Sequence, residues 1–426
     1  MSRSVSVAAI SLAVFGVVAS PLCAEEVLWP GFLGPNRNGY VDYFPSSIQW
    51  PERLTRAWRI EVGSGYGSPA VFEQTAFLHT RQGNDEVLQS IDLPSGKVNW
   101  KKTAATPFKT GGGGEYHGKG PKSCPTLSAG RVFTFGISGV LTAWDAKSGR
   151  QLWQRNDDGR FKRSHPNWGA CMSPLVADEK VIIRFGTDEE GELTAFDVAT
   201  GETAWTYGNE GPSYASPLLA ELGGVQQVVE WNHDSLIGVD LATGDLLWSH
   251  PFPHVGTDQN MPTPAVHKER IYLGAENRGL HCFEPQRNGA EWSVKKRWTQ
   301  KEIALDMSSA VVHGDRLYGH SHYRKGQLFT VELATGRIVW RGPGRAGQHA
   351  TFLALPKHIV TLLNTGHLKV LPTGTDQYQE AASWQVAETQ TWAPPVILPT
   401  GFLVKDTQTL TLWSLPSAEG DKASNE

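Results

Sequence analysis

The apolar positions of this chain fall in short runs such as Arg131–Gly136 (RVFTFG) and Arg270–Gly274 (RIYLG), separated by turn residues. That pattern predicts strands rather than helices. The runs repeat. Asp92-LPS-Gly96-KVN-Trp100 returns as Asp145-AKS-Gly149-RQL-Trp153, Asp197-VAT-Gly201-ETA-Trp205, Asp240-LAT-Gly244-DLL-Trp248 and Glu332-LAT-Gly336-RIV-Trp340. Degenerate copies end at Trp298 and Trp384, and Trp58 keeps the strand without the preceding turn. Successive tryptophans lie 42 to 53 residues apart, the length of one four-stranded propeller blade. Upstream of each motif a small residue, usually followed by Pro, opens another apolar strand: Ser68-Pro, Cys124-Pro, Ser173-Pro, Ser216-Pro, Thr263-Pro and, without the Pro, Ser309.

Counting strands predicts an all-β, eight-bladed β-propeller with four-stranded antiparallel blades. The chain ends on three strands lacking an outer fourth, and residues near 54–61 are one strand too many at the start. Pairing the two closes the ring and removes the exposed edge of an open array. The expected organisation is a propeller over 54–415, an arm over 25–53 with Trp29–Pro35 on the outside of the ring, and a polar, disordered tail over 416–426. In each motif the Asp can accept turn N–H groups and the Gly can take positive φ. Trp58, Trp100, Trp153, Trp205, Trp248, Trp298, Trp340 and Trp384 are expected to dock each blade on the next.

Composition narrows the function. There are 39 basic and 43 acidic residues, net −4 with His neutral, so no basic excess exists to neutralise nucleic-acid phosphates. Only 4 Cys exclude a disulfide-stapled mini-domain. Arg3, the apolar run Val5–Ala19 and Pro21-Leu-Cys-Ala24 have the layout of a secretory signal peptide over 1–24, cleaved after Ala24. A retained anchor is the alternative; lipidation at Cys23 is disfavoured because Leu22 is not small. No later stretch approaches a membrane span. An exported, monomeric protein of the periplasm or cell envelope is expected. Cys124, Cys171 and Cys282 remain, an odd number, read as buried small residues or as a Cys124–Cys171 bridge plus one free thiol.

The Asp-x-x-[Thr/Ser]-Gly-x-x-x-Trp units resemble the PQQ-type repeat of quinoprotein alcohol dehydrogenases and of the outer-membrane assembly factor BamB, over roughly 58–415. The segments Gly118–Trp153, Asn167–Val176 and Trp29–Gly39 are similar to exported PQQ-like propellers of planctomycete-type bacteria. The resemblance implies either a non-catalytic scaffold binding an envelope protein or small molecule, or a PQQ-dependent alcohol or sugar dehydrogenase using PQQ and Ca²⁺. Such enzymes need a carboxylate and an Asn on the cation, an Asp as base, and often two adjacent Cys, a pair absent here. A polysaccharide-recognition module is a third reading.

No set of residues stands out as catalytic. Ligands of propellers usually meet the loops leading into the inner strands. Those loops hold Glu115, His117, Lys119 and Lys122; His165, Asn167 and Trp168; Asp258, Gln259 and Asn260; Asp306; His349; and Trp392. Asp258, Asn260 and Asp306 are the candidates for a hard cation; Lys122 or His117 suits an anionic ligand. The polar mouth with two Trp suits a protein, small-molecule or glycan ligand. Gly342–Gly347 matches GxGxxG but leads into a strand, so phosphate cradling is rejected. Gly111–Gly114 reads as a lid or a linker, and His320-Ser-His322 as a solvated hairpin.

Overall fold

The computed structural model describes residues 28–256 and 258–416. The expected signal peptide and all but the first residue of the tail lie outside them. Among the described residues thirty-two strands form eight four-stranded antiparallel sheets. Blade one comprises Ala70–Phe72, Thr75–Gln82, Asp85–Asp92 and Val98–Ala105, and blades two to seven follow in the same inner-to-outer order. Blade eight takes Val396–Leu398, Gly401–Lys405 and Thr409–Ser414 from the end of the chain and its outer strand, Thr55–Glu61, from the beginning. Thr55 sits opposite Ser414 and Glu61 opposite Thr409. The ring is therefore closed by pairing of the N-terminal strand with the C-terminal blade. Among the described residues helix is confined to two three-residue turns, Glu115–His117 and Tyr323–Lys325.

The motif turns hold themselves. Ser95 N and Ser148 N donate to Asp92 and Asp145 at 2.9 and 2.8 Å, and Thr200 N and Thr243 N to Asp197 and Asp240 at 2.8 and 3.0 Å. These bonds, with those from the Ser and Thr hydroxyls, keep the Asp92, Asp145 and Asp197 carboxyls below the ordinary range. Gly96, Gly149, Gly201, Gly244 and Gly336 take positive φ and lie against the indoles of Trp58, Trp100, Trp153, Trp205 and Trp298 of the preceding blade. A Cβ on any of the five would come within 2.6–2.8 Å of its indole, or closer than real Cβ atoms approach. Trp58, Trp153, Trp205 and Trp298 also donate their N–H to the carbonyls of Leu93, Val198, Leu241 and Leu333, each directly after the acid of the next blade's motif. Trp248 instead donates to Gln227 in its own blade, because blade five replaces the motif with a long hairpin, Gly279–Asn288 and Glu291–Gln300. Trp340 has no acceptor for its N–H, and Trp384 donates to Pro51 of the arm.

The inner strands explain the small residue that opens them. Ser68 N donates to Cys124 Sγ, Cys124 N to Ser173 Oγ, Ser173 N to Ser216 Oγ, Ser216 N to Thr263 Oγ1 and Thr263 N to Ser309 Oγ, at 2.9–3.3 Å. A belt of side-chain-to-backbone bonds thus joins six blades around the axis.

The arm departs from expectation. Trp29 is not outside the ring but fully buried, with its backbone bonded to Val71. Residues 30–38 then turn beneath the channel, where Arg37 donates to the carbonyls of Pro217, Pro174 and Ser173 at 2.9, 2.9 and 2.5 Å. Inner strands expose unpaired carbonyls toward the axis, and a guanidinium with several donors suits them better than solvent does. The arm closes one end of the channel.

Candidate functional site

The closed channel opens into a cup of about 190 Å³ on the opposite face. Its wall follows one rule. In six blades the cup residue stands two positions before the strand-opening small residue (Tyr66, Lys122, Cys171, Tyr214, Met261 and Met307), and in the last two His349 and Trp392 stand two before Thr351 and Pro394. Alternation along an extended backbone turns both positions to the same side. Below them Cys124, Ser173, Ser216, Thr263, Ser309 and Thr351 form a second tier, and Phe32 and Leu33 of the arm the floor.

Five of the thirteen loop residues named from the sequence, His117, Lys122, Trp168, His349 and Trp392, line this cup. Trp392 carries Tyr66 and His349 in stacked contact, with centroids 5.2 and 5.3 Å away, and His117 meets it edge-on at 5.0 Å. Trp168 stacks on Tyr214 at 5.5 Å. Lys122 Nζ donates to Trp168 O at 2.8 Å, which holds the ammonium at the rim of the aromatic wall. Burial pushes the His117 imidazole below its ordinary range, and pushes that of His349 down to about 3, with His320 adding to it. Burial pushes the thiols of Cys124 and Cys171 up; both are free, so the bridge is not formed. At neutral pH the cup thus presents neutral imidazoles, protonated thiols and thioethers.

The glycine-rich segment 106–120 crosses the mouth. Gly111 N donates to Asn167 O, Trp168 Nε1 to Gly112 O, and Gln390 Nε2 to Tyr116 Oη, so the loop is tied to blades three and eight. Glu115 lies on its short turn, outside the cup wall. Asn167 is on the rim, its N–H bonded to Asp188.

Asp258, Asn260 and Asp306 lie elsewhere on the same face, off the cup. Asp306 is raised to about 6 by burial and then by Asp258. Glu276, which the sequence did not flag, is raised by burial and by both of these carboxylates. The buried Asn260 amide is fully used: Nδ2 donates to the carbonyls of Asn232 and His233, and Oδ1 accepts from Arg278 Nη2 at 2.6 Å. A guanidinium already occupies the oxygen a hard cation would need. His320 corrects the solvated-hairpin reading: it is buried, and burial pushes it down to about 4.

The candidates that were missed, Tyr66, Tyr214, Cys171, Met261 and Met307, were marked by their fixed offset from the small residue. Read singly they look like core residues; the offset shows only when all eight blades are aligned.

The fold and its belted, one-ended channel define an eight-bladed propeller built of PQQ-type repeats. A family profile for outer membrane protein assembly factor BamB matches residues 55–342, and the chain belongs to that family. Among curated relatives, BamB of Burkholderia pseudomallei is 23% identical over 302 residues, 68% of this chain and 69% of that protein. Quinohemoprotein alcohol dehydrogenase ADH-IIG of Pseudomonas putida is 26% identical over 388 residues, 84% of this chain but only 45% of the enzyme. Among solved structures, BamB from Moraxella catarrhalis matches with a TM-score of 0.61 and 17% identity over 85% of this chain and all of that one. ADHIIG from Pseudomonas putida HK5 matches at 0.67 and 13%, over 91% and 80%. These structural likenesses concern the fold.

Proposed function

We propose that the protein is a non-catalytic binding propeller of the cell envelope, taking a single side chain of a partner protein, or a small ring-shaped ligand, into the cup. The observation that carries this reading is the cup itself: blind at one end, walled by aromatic rings and sulfur, with Lys122 at its rim. About 190 Å³ suits one ring or one side chain and falls below the ~300–1,000 Å³ of pockets that enclose larger ligands. An aromatic or aliphatic group with an anionic end would bury its apolar part against Tyr66, Met261, Met307 and Trp392. Its charge would meet the Lys122 ammonium.

The quinone-dehydrogenase alternative asks for a carboxylate and an Asn on a cation beside the quinone, and a carboxylate base. Among the described residues no Asp or Glu lines the cup, and Asn260 is bonded to Arg278. The residues present therefore do not fit PQQ with Ca²⁺, and no redox step is derived for them.

Site-directed photocrosslinking from the rim, in intact envelopes, tests the proposal. One saturable crosslinked partner is expected. It should be lost in Trp392→Ala and kept in His267→Gln, on the arm side of the ring. Dye reduction by an alcohol or sugar after adding PQQ and Ca²⁺, or crosslinking indifferent to Trp392→Ala, overturns it.

A further inference from the structure

Away from the cup, on the same face of blade four, two loops bring two imidazoles and a carboxylate together. His233 and Asp234 form the turn between Val225–Trp231 and Ser235–Asp240, and His254 follows the outer strand Leu246–Pro251. One ligand atom from each lies within 4.8 Å of the others. The two rings pack with centroids 3.9 Å apart. Sub-ångström adjustments of each side chain bring such atoms to the ~2.0–2.2 Å bond lengths of a zinc-type ion.

One further observation points to a ligand, and the others show how the site is held and reached. His254 Nδ1 is buried and has no hydrogen-bond partner, a condition that native structures resolve with water or an ion. The backbone is set in advance: His254 N donates to His233 O, Phe252 N to Asp234 O, His233 N to Gly211 O, and Asn260 Nδ2 to His233 O. Asn232 Oδ1 accepts from Asp234 N at 2.9 Å, fixing the turn that presents the carboxylate. The Asp234 side chain is 45% exposed while that of His233 is 14%, so an ion would be reached from solvent on the carboxylate side.

We infer that His233, His254 and Asp234 form a binding site for one divalent transition-metal ion at the rim of blade four. Two imidazoles and one carboxylate suit Zn²⁺, Co²⁺, Ni²⁺ or Cu²⁺ rather than Ca²⁺ or Mg²⁺, which favour oxygen ligands alone. Three protein ligands leave a coordination position open to solvent or to a donor from a bound partner. The ion would tie the loop after blade four to the turn at Asn232–Asp234, bracing the rim beside Asn260.

The test is a Co²⁺ titration of untagged, chelator-treated full chain, following visible ligand-field absorption, with Zn²⁺ as competitor. One saturable equivalent is expected, displaced by Zn²⁺. His233→Ala with His254→Ala should abolish it, and Asp234→Asn should weaken it by more than ~10-fold. His267→Gln should leave it unchanged. The two loop variants are also followed by circular dichroism without metal, so that loss of fold is told apart from loss of ligand. Absence of a saturable band in the unaltered protein, or equal binding by the folded double-His variant, overturns the site.

Discussion

Glu86 and His79 show how burial sets protonation inside this ring. Glu86 accepts the Ile137 N–H of blade two at 2.8 Å and faces His79 Nε2 at 3.5 Å. Burial raises Glu86 to about 7, opposed by the Ile137 bond and the Arg81 charge, and lowers His79 to about 4. With His79 neutral, the contact is not an ion pair. The signs follow from linkage. Glu86 binds its proton more tightly when folded, so its contribution is full below the ordinary carboxylate pKa and is lost as pH rises toward 7. His79 behaves in the opposite sense, its contribution fading as pH falls from about 6.5 to 4. Glu86→Gln keeps an acceptor for Ile137 and cannot ionise. Relative to the unaltered chain its stability should grow between pH 5 and 8, reaching about 2–3 kcal/mol. Thermal melts across that range check this; a gap that does not change with pH contradicts it.

Among elements, the unit that matters is the joint between an outer strand and the next blade's turn. If the tryptophans dock the blades, the joints are unequal. Trp153 stacks on Gly201 and donates to Val198, whereas the Trp340 N–H has no partner. Trp153→Phe should therefore cost about 1–2 kcal/mol more than Trp340→Phe, through the orphaned Val198 carbonyl. Chemical denaturation of the two variants measures the difference, and equal losses would show that the indole N–H bonds are incidental. These joints were legible in the sequence because turn, glycine and indole fall within nine consecutive residues. The Trp248 exception was not, since Gln227 lies in another strand of its blade. The cup was half legible: His117, Lys122, Trp168, His349 and Trp392 are polar or amphipathic and invite notice. Met261, Met307 and Cys171 are indistinguishable from core residues until strand alternation is aligned across blades. The His233–His254 pair was invisible because its members lie on two loops.

For the whole molecule, closure by Thr55–Glu61 makes stability a property of the complete ring. Eight blades and one closing strand were countable from the repeat. The inward path of the arm was not, because Arg37 finds its carbonyl partners in blades three and four, more than 130 residues away. A chain beginning after Glu61 would leave Thr409–Ser414 as a bare edge and the channel without a floor. It should unfold or self-associate through that edge, seen as larger species in size-exclusion chromatography with light scattering. A monomeric, cooperatively melting product would show that the closing strand is dispensable.

Seating the first strand beside the last also orders events in time. About 350 residues must be made after Glu61 before its partner strand is complete. At ~5–20 residues per second that is roughly 20–70 s of synthesis. Throughout that interval the opening strand is an unmatched edge, so a nascent molecule is most open to proteases and to mispairing at the end that left the ribosome first. A premature stop anywhere before Thr409 leaves that vulnerability permanent, however well the intervening blades have formed.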